Sequence, residues 1–573
     1  MRKNEIVLRL GGEGGEGVIS TGDIFTQGAA RTGYHVFTFR TYPAEIKGGH
    51  AWYQIRVGSS PVRSMGDGVG VLVAFNAEAY ERHISDLDVD GVLIFDPDEV
   101  TPHVSSSVVQ YPIPFNRIAR QDLDFFRGKN VIVTGALAGL FGLDPSSLER
   151  LVQERFKRRP ELLDKNLKSL YTGFEFATKK LKKADPYYLT ETERVGRLVL
   201  SGNEAIVAGA LTAGCRFYAG YPITPASEIL EGMAKALPKL GGVNLQAEDE
   251  LAAIGAVLGA SYAGVKSMTA TSGPGLSLMS EFLGWSGMAE VPCVIVDSQR
   301  AGPSTGMPTK LEQADLNHAL FGGHGDFPRV VIAPGSGEDC FHQIIRAFNM
   351  SERYQVPVVL LSDQSLSQRT ETMAMPDVDQ LAIEDRLLAD VATLSNGFKR
   401  FAYTETGISP MSIPGMPGGE YVAPGLEHDE AGHVDKPLAS HLKMMPKRGK
   451  KIEVARQELE PSPRYGSDKA EIGVIGWGST EGAIREAVER AVASGIGVAA
   501  IHPKVLSPLP LDELREFVSS VKRIIVPELN YSGQFARYLR SELLVDVIRL
   551  NKYSGVPFTA GEIYRKIEEV ANG

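Results

Sequence analysis

The chain has 573 residues, a formal net charge of −10, 43% hydrophobic and 23% charged residues. That length exceeds what one hydrophobic core organises and predicts about three domains, while an acidic balance without a long basic run argues against nucleic acid as the main partner. No stretch approaches the roughly 18 uninterrupted apolar residues of a bilayer span, and the opening Met1-Arg-Lys-Asn-Glu-Ile lacks the apolar region of a signal peptide, so a cytoplasmic location without a membrane partner is expected.

In chain order, Ile6–Leu10 reads as a strand entering a glycine-rich turn, and Val36–Phe39, Val71–Ala74, Gly91–Phe95 and Val131–Val133 are further short strands. Helix-length segments between them predict a mostly parallel sheet covered on both faces. The turn Gly12-Glu-Gly-Gly-Glu-Gly17 fits the GxGxxG spacing that lets a backbone approach a phosphate at a helix start, a weak signal by itself. A dinucleotide site also wants an acid at the next strand end, but there Arg40 stands and no acid follows until Glu45. NAD is therefore disfavoured, and another phosphate-bearing ligand stays open. Gly66-Asp-Gly68 begins like the magnesium–diphosphate motif of thiamine enzymes, yet it runs straight into a strand with no later Asn pair. It reads as a turn. Residues 145–185 are helical in pattern and end in the basic run Lys179–Lys183, a solvated helix end.

A second α/β segment follows a linker at 184–195. Arg216–Ala219, Ser267–Ala270, Val291–Val296, Arg329–Ala333 and Val356–Leu361 are its strands, ending where α/β folds place ligands. Tyr221-Pro-Ile-Thr-Pro225 follows the first of them, its two prolines restricting the turn around Thr224. Gln246–Ala260 carries Glu248, Asp249 and Glu250 into a helix of alanines and glycines, a composition that is odd unless something packs closely on it. An acidic helix start is also what the helix dipole favours. Residues 376–465 form a connecting arm, with Pro and Gly too dense at 408–419 for regular structure. Its Glu427-His-Asp-Glu-Ala-Gly-His433 could supply metal ligands but reads as connecting structure. Residues 466–573 return to α/β texture, with strands at Ile472–Gly476, Gly497–Ile501 and Arg523–Val526 and a helix from Gly482 to Ala493. The three cysteines, Cys215, Cys293 and Cys340, are far apart and cannot by themselves ligate an iron–sulfur cluster or a structural zinc.

Taken in order, Tyr221–Pro225, the Glu250-to-Gly259 stretch, Thr271-Ser-Gly-Pro-Gly275 and Arg300-Ala-Gly-Pro-Ser-Thr-Gly-Met-Pro-Thr309 resemble the pyrimidine-binding domain of 2-oxoacid:ferredoxin oxidoreductase alpha subunits. Glu250 with a glycine nine residues on also resembles the wider thiamine-diphosphate enzyme pattern, which selects it over Glu248. The N-terminal segment resembles the gamma domain of the same enzymes, with Lys47 where the family's Arg-Gly-Gly segment has arginine; lysine keeps the charge and loses the fork. The resemblance implies a multi-domain α/β chain: gamma domain 1–183, pyrimidine-binding domain 196–375, arm 376–465 and a transketolase-C-terminal-like domain 466–573.

That likeness implies the chemistry. Glu250 would hydrogen-bond the aminopyrimidine N1′ of thiamine diphosphate, helping its 4′-nitrogen to take a proton from the reactive carbon, with Pro222 and Ile223 also at the cofactor. Arg300, a bidentate fork for carboxylate, would hold the substrate's 1-carboxylate, with Tyr221, Thr224 and Thr309 beside it. His324, in His-Gly-Asp, is a candidate for the active-site wall, or else a loop histidine bonded to backbone, as is His318. Coenzyme A is implied for the gamma domain, with Gly12, Gly14, Gly15, Gly17, Arg40 and Lys47 as candidate contacts. Mg²⁺, the diphosphate clamp and a [4Fe–4S] cluster are expected on a beta subunit, in an (αβ)₂ heterotetramer that reduces ferredoxin docked on beta. The expected reaction is the reversible conversion of a 2-oxoacid and coenzyme A to acyl-CoA and CO₂. Fusion of gamma to alpha favours 2-oxoglutarate over pyruvate or branched-chain acids. A self-contained, non-redox thiamine decarboxylase or synthase lacks support without a diphosphate motif, and a nucleotide-binding regulatory subunit built on Gly12–Gly17 leaves Glu250 and Arg300 idle.

Overall fold

The computed structural model describes residues 3–41, 43, 48–189, 192, 195–434 and 437–573. The chain divides into two compact units. One comprises Met1–Leu200, Gln368–Met375 and Thr559–Glu562; the other comprises Ser201–Ser367, Pro376–Phe558 and Ile563–Gly573.

In the first unit, strands β1 (Ile6–Glu13), β2 (His35–Thr41), β3 (His50–Gly58), β4 (Val69–Ala74), β5 (Leu87–Phe95), β6 (Val109–Pro112) and β7 (Arg197–Ser201) form one sheet together with the strand Thr370–Ala374. Among the described residues its order is β6-β5-β4-β1-β3-β2, then Thr370–Ala374, then β7. The sheet is mixed rather than mostly parallel. β1, β4, β5 and β6 run parallel, whereas β3 pairs antiparallel with both β1 and β2. His50–Gly58 is a strand not expected from the sequence, although Ala51, Tyr53, Ile55 and Val57 alternate along it as buried apolar residues.

Val131–Val133 is likewise not a strand. It lies within the helix Lys129–Phe141, which is buried almost all round, so its apolar run carries no helical period either. Glycines allow that helix to meet Pro160–Lys180 closely. A Cβ at Gly135 would sit 2.0 Å from the Leu170 carbonyl oxygen, and one at Gly173 would sit 2.0 Å from that of Ile132. The hydrophobic core of this unit gathers around β1, β3, β4 and these helices, with Leu8, Phe25, Tyr53, Ile132 and Phe141 fully buried.

The second unit holds two sheets. β8 (Phe217–Gly220), β9 (Val243–Gln246), β10 (Ser267–Thr271), β11 (Cys293–Gln299), β12 (Val330–Ile332) and β13 (Pro357–Asp363) lie in the order β12-β13-β11-β10-β8-β9, all parallel. The strand Val505–Ser507, far along the chain, adds antiparallel to the β12 edge. The other sheet carries Val498–Ile501, Ile472–Ile475, Arg523–Glu528 and Ile548–Asn551 in parallel, edged by the antiparallel Arg464–Gly466.

The arm contains an element that its Pro and Gly content hid, the helix Pro437–Gln457, with Pro446 inside it. It is anchored by charge. The side chain of Glu290 is fully buried and receives Lys447 Nζ at 2.6 Å and 2.7 Å and Lys451 Nζ at 2.5 Å. Arg400, also buried, donates to the Glu290 carbonyl at 2.6 Å. Burial alone would raise the carboxyl's proton affinity; Lys451, Lys447 and Arg400 together hold it well below the usual carboxylate range, while burial pushes Lys451 down to about 7.

Two stability outcomes are expected. Gly135→Ala or Gly173→Ala overpacks the helix pair and should cost about 1–3 kcal/mol, seen as a lower thermal midpoint. Glu290→Gln strands buried cations and should cost about 3–5 kcal/mol, seen as earlier unfolding in denaturant. The contribution of the native carboxylate is present above the unfolded carboxylate range and is lost as pH falls through its depressed folded value.

Candidate active site

Most of the candidate residues of the second unit come from the ends of β8, β9, β10 and β11. The strand β9 leads through Ala247 and Glu248 to Asp249, whose side chain accepts the Ala252 amide at 2.8 Å and so caps the helix Glu250–Tyr262. Capping by Asp249 leaves Glu250 as the first helical residue with its side chain free to turn inward. Glu250 is 6% exposed, whereas Glu248 faces solvent. The Glu250 carboxylate receives no hydrogen bond or ion pair from any described residue and keeps contact with solvent, so it is open to a ligand. Space for it depends on Gly275. A Cβ there would lie 2.0 Å from Thr271 Oγ1, 2.6 Å from Glu250 Cγ and 2.7 Å from Glu250 Oε1.

The residues Leu251, Ala252 and Gly259 of the same helix are exposed, and a Cβ at Gly259 would meet nothing within 4 Å. No described residue covers Gly259 on that face.

Arg300 follows β11 and is 8% exposed; its Nη1 donates to the Thr224 carbonyl oxygen at 2.7 Å. This bond joins the Tyr221–Pro225 turn to the 300–310 loop. The loop closes on itself, with the Ala301 amide donating to the Lys310 carbonyl and the Met307 amide to the Ala301 carbonyl, both at 2.9 Å, which returns the buried Thr309 towards Arg300 along the chain. Ile223 and Thr224 are half-buried, and Tyr221 and Pro222 are exposed. His318 Nε2 meets Ser280 Oγ at 3.4 Å, while His324 is exposed beside Glu281.

Sequence reasoning missed two acids here. Asp297, fully buried on β11, and Asp315, before the helix Leu316–Phe321, lie in the electrostatic reach of Arg300. The available signal was a carboxylate ending the otherwise apolar run Val291–Val296.

In the first unit the glycine turn is shaped by Gly17, whose φ of +90° starts the helix Val18–Arg31. Glu16 fills the turn from within: its carboxylate accepts from the Glu13 amide at 2.8 Å, Asn76 Nδ2 at 2.7 Å and Lys129 Nζ at 3.0 Å. Gly14 donates to the Gly49 carbonyl at 2.8 Å, and Arg40 pairs with Asp23 at 3.8 Å. Gly12 and Gly15 complete the turn, and Lys47 lies outside the described residues. Gly66-Asp-Gly68 is a turn, with Asp67 accepting the Gly561 amide at 2.6 Å.

The remaining polar motifs are used by the fold. In the arm Glu427 takes Arg448 and His441, Asp429 accepts the amides of Ala431 and His433, and His428 is buried against Phe401. Cys215, Cys293 and Cys340 are buried, and burial pushes the thiols of the first two up to about 12. Among the described residues no group of three or more His, Cys, Asp or Glu could hold a metal ion, and no helix is long and apolar enough to cross a membrane.

Comparison with known proteins gives this arrangement a context. Residues 208–447 match the family described as pyruvate flavodoxin/ferredoxin oxidoreductase, thiamine diphosphate-binding; residues 7–176 match pyruvate ferredoxin/flavodoxin oxidoreductase; and residues 470–563 match core domain II of pyruvate:ferredoxin oxidoreductase. The 2-oxoglutarate oxidoreductase subunit KorA of Mycobacterium tuberculosis is 35% identical, over 100% of this chain and 92% of its own length. The 2-oxoacid:ferredoxin oxidoreductase 1 subunit alpha of Aeropyrum pernix is 33% identical, over 95% of this chain and 93% of its own. A solved structure of 2-oxoglutarate:ferredoxin oxidoreductase from Magnetococcus marinus, with 2-oxoglutarate, coenzyme A and succinyl-CoA bound, superposes with a TM-score of 0.95 at 41% identity, covering 99% of both chains. With a thiamine-diphosphate-binding segment that contains Glu250 and Arg300, and relatives that match from end to end, the chain belongs to the 2-oxoacid:ferredoxin oxidoreductase family as an alpha subunit.

Proposed function

We propose that this chain, with its fused gamma portion, forms part of an enzyme that reversibly decarboxylates 2-oxoglutarate in the presence of coenzyme A. The products are succinyl-CoA and CO₂, and two electrons pass to ferredoxin. The observation that carries this reading is the near-buried Glu250 side chain, whose carboxylate has no partner among the described residues and sits in space kept open by Gly275. These residues fit the aminopyrimidine of thiamine diphosphate, because a buried carboxylate without a donor suits a ring nitrogen that can share a proton with it. When bound, the thiazolium supplies the electron sink for decarboxylation. Glu250 would hold a proton at N1′, and Pro222 and Ile223 would help to hold the cofactor. Arg300 presents its guanidinium to the substrate 1-carboxylate, oriented by its bond to the Thr224 carbonyl. Thr224, Thr309 and Tyr221 supply hydroxyls around it.

The diphosphate clamp with Mg²⁺ and the [4Fe–4S] cluster belong, on this reading, to a beta subunit in an (αβ)₂ assembly. The uncovered helix face at Leu251, Ala252 and Gly259 supports a second chain there. Coenzyme A is proposed as acyl acceptor, in line with the ligands of the Magnetococcus marinus enzyme. Gly12, Gly14, Gly15, Gly17, Arg40 and Lys47 are its candidate contacts; a phosphate entering that turn would have to replace the Glu16 carboxylate at the Glu13 amide.

The decisive assay co-expresses the chain with a beta subunit and follows coenzyme A-dependent viologen reduction with 2-oxoglutarate, pyruvate and branched-chain oxoacids. Preference for 2-oxoglutarate is expected, and a pair inert with every 2-oxoacid would refute the assignment. Glu250→Gln should lower kcat by about 10²–10⁴-fold in a folded complex, and near-normal turnover would overturn its role. Arg300→Lys should raise KM for the oxoacid about 10-fold to 100-fold, the worth of one charged, forked hydrogen bond, with an unchanged KM counting against the contact.

A further inference from the structure

We propose that Gln313 and Gln534 are positioning residues of the substrate seat, through which the C-terminal sheet holds the 300–315 loop and so aims Arg300 at the oxoacid carboxylate. This rests on the assignment of Arg300 made above, and it brings in side chains from a sheet that supplies none of the residues named there for substrate or cofactor.

Arg300 does not aim itself. Among the described residues its side chain makes one hydrogen bond, from Nη1 to the Thr224 carbonyl oxygen, and its buried Nε has no partner. The direction of the guanidinium is therefore set largely by the backbone of its loop. Residues 302–306 of that loop are exposed and bring no core of their own, so the loop stands on its footing. That footing is 311–317, and it meets residues that follow three parallel strands of the C-terminal sheet, Ile472–Ile475, Arg523–Glu528 and Ile548–Asn551. Parallel α/β sheets place their ligands at this edge, and here the chain's own loop occupies it.

Gln313 is 0% exposed, and each of its polar groups is matched from those strand ends. Its amide donates to the Leu529 carbonyl at 2.7 Å, and its carbonyl accepts from Asn530 Nδ2 at 3.0 Å. Its side-chain Nε2 donates to the Trp477 carbonyl at 3.3 Å, and its Oε1 accepts the Leu529 amide at 3.3 Å. Gly478, with φ +58°, makes the room, since a Cβ there would lie 2.5 Å from Gln313 Nε2. Gln534, the first residue of the helix Gln534–Leu543, grips the next turn with both ends of its amide. Its Nε2 donates to the Ala314 carbonyl at 2.7 Å, and its Oε1 accepts the Asn317 amide at 2.8 Å. The Leu311 amide adds a bond to the Gly555 carbonyl at 3.3 Å. Asp315 lies between the gripped residues and passes the constraint on. Its amide donates to Oε1 of Gln299, the residue before Arg300, at 3.1 Å. Its carboxyl lies against Gly273, where a Cβ would come within 2.7 Å, two residues from the Gly275 that makes space for Glu250.

The test uses the complex with its beta subunit. Gln534 is half-buried, so Gln534→Ala removes two bonds with little loss of core, and Gln313→Ala serves as the second variant. Each should raise KM for the 2-oxoacid about 5-fold to 10-fold, the worth of one or two neutral hydrogen bonds, with kcat within about twofold of wild type. Coupling is the readout that a merely structural role would not move. In an Arg300→Lys background Gln534→Ala should add no further rise, because the fork it aims is gone. Hydrogen–deuterium exchange needs no turnover, and the amides of 311–317 should exchange about 10-fold faster in both single variants. Effects on KM that multiply in the double variant, a wild-type KM in both single variants, or unaltered exchange over 311–317 would each overturn the positioning role. A wild-type KM in Arg300→Lys would refute the assignment of Arg300 and this role with it, while the exchange rates alone would still show whether the C-terminal sheet holds the loop.

Discussion

Glu250 stands almost buried at the start of its helix and takes no hydrogen bond or ion pair from any described residue. The surrounding residues keep that carboxylate available. Asp249 caps the helix and so frees Glu250 to face inward, Gly275 surrenders its side chain to give it room, and Thr271 ends a buried strand alongside. On the proposed reading, the partner that this carboxylate awaits is a ring nitrogen rather than a protein group. The same incompleteness recurs on the outer face of that helix, where alanine and glycine stand open.

The second organising interaction is the charge cluster that fastens the arm. Glu290 ends the helix Ser280–Ala289 in a left-handed conformation, with φ +54°, and meets lysines from a helix more than 150 residues later. The arm buries Phe401, Met411 and Met444, and the carboxylate satisfied by two lysines fixes its register, since no shifted alignment would meet that charge.

How much of this was legible in the sequence depended on which physical signals survive burial. Strands such as β10, β11 and β13 announced themselves because short apolar runs ended at Gly, Thr, Ser or Asp. The Lys129–Phe141 helix did not, because a helix buried on all sides loses the polar stripe that reveals its period. β3 was overlooked although its alternation is regular, with Ala51, Tyr53, Ile55 and Val57 buried on one face and Gln54, which bonds Arg9 and the Met65 carbonyl, on the other. At the site, Glu250 and Arg300 were readable from motifs, and the bond between Arg300 and the Thr224 carbonyl explains why two motifs nearly eighty residues apart belong together. Asp297 escaped notice because a single acid at a strand end looks like a terminus signal until its lack of partners is seen. Glu16 escaped because its three donors come from Glu13, Asn76 and Lys129, a convergence that only the folded chain creates.

The strand Val505–Ser507 ties two halves of the second unit in a way that bears on how the chain is made. It leaves the C-terminal stretch to zip onto β12, so the parallel sheet that carries β10 and β11 is not closed until the ribosome has passed residue 507. Until then β12 presents a bare row of amides and carbonyls, open to pairing with any nascent neighbour. A version of the chain ending before that strand would keep the whole thiamine-diphosphate-binding segment and still expose a sticky margin.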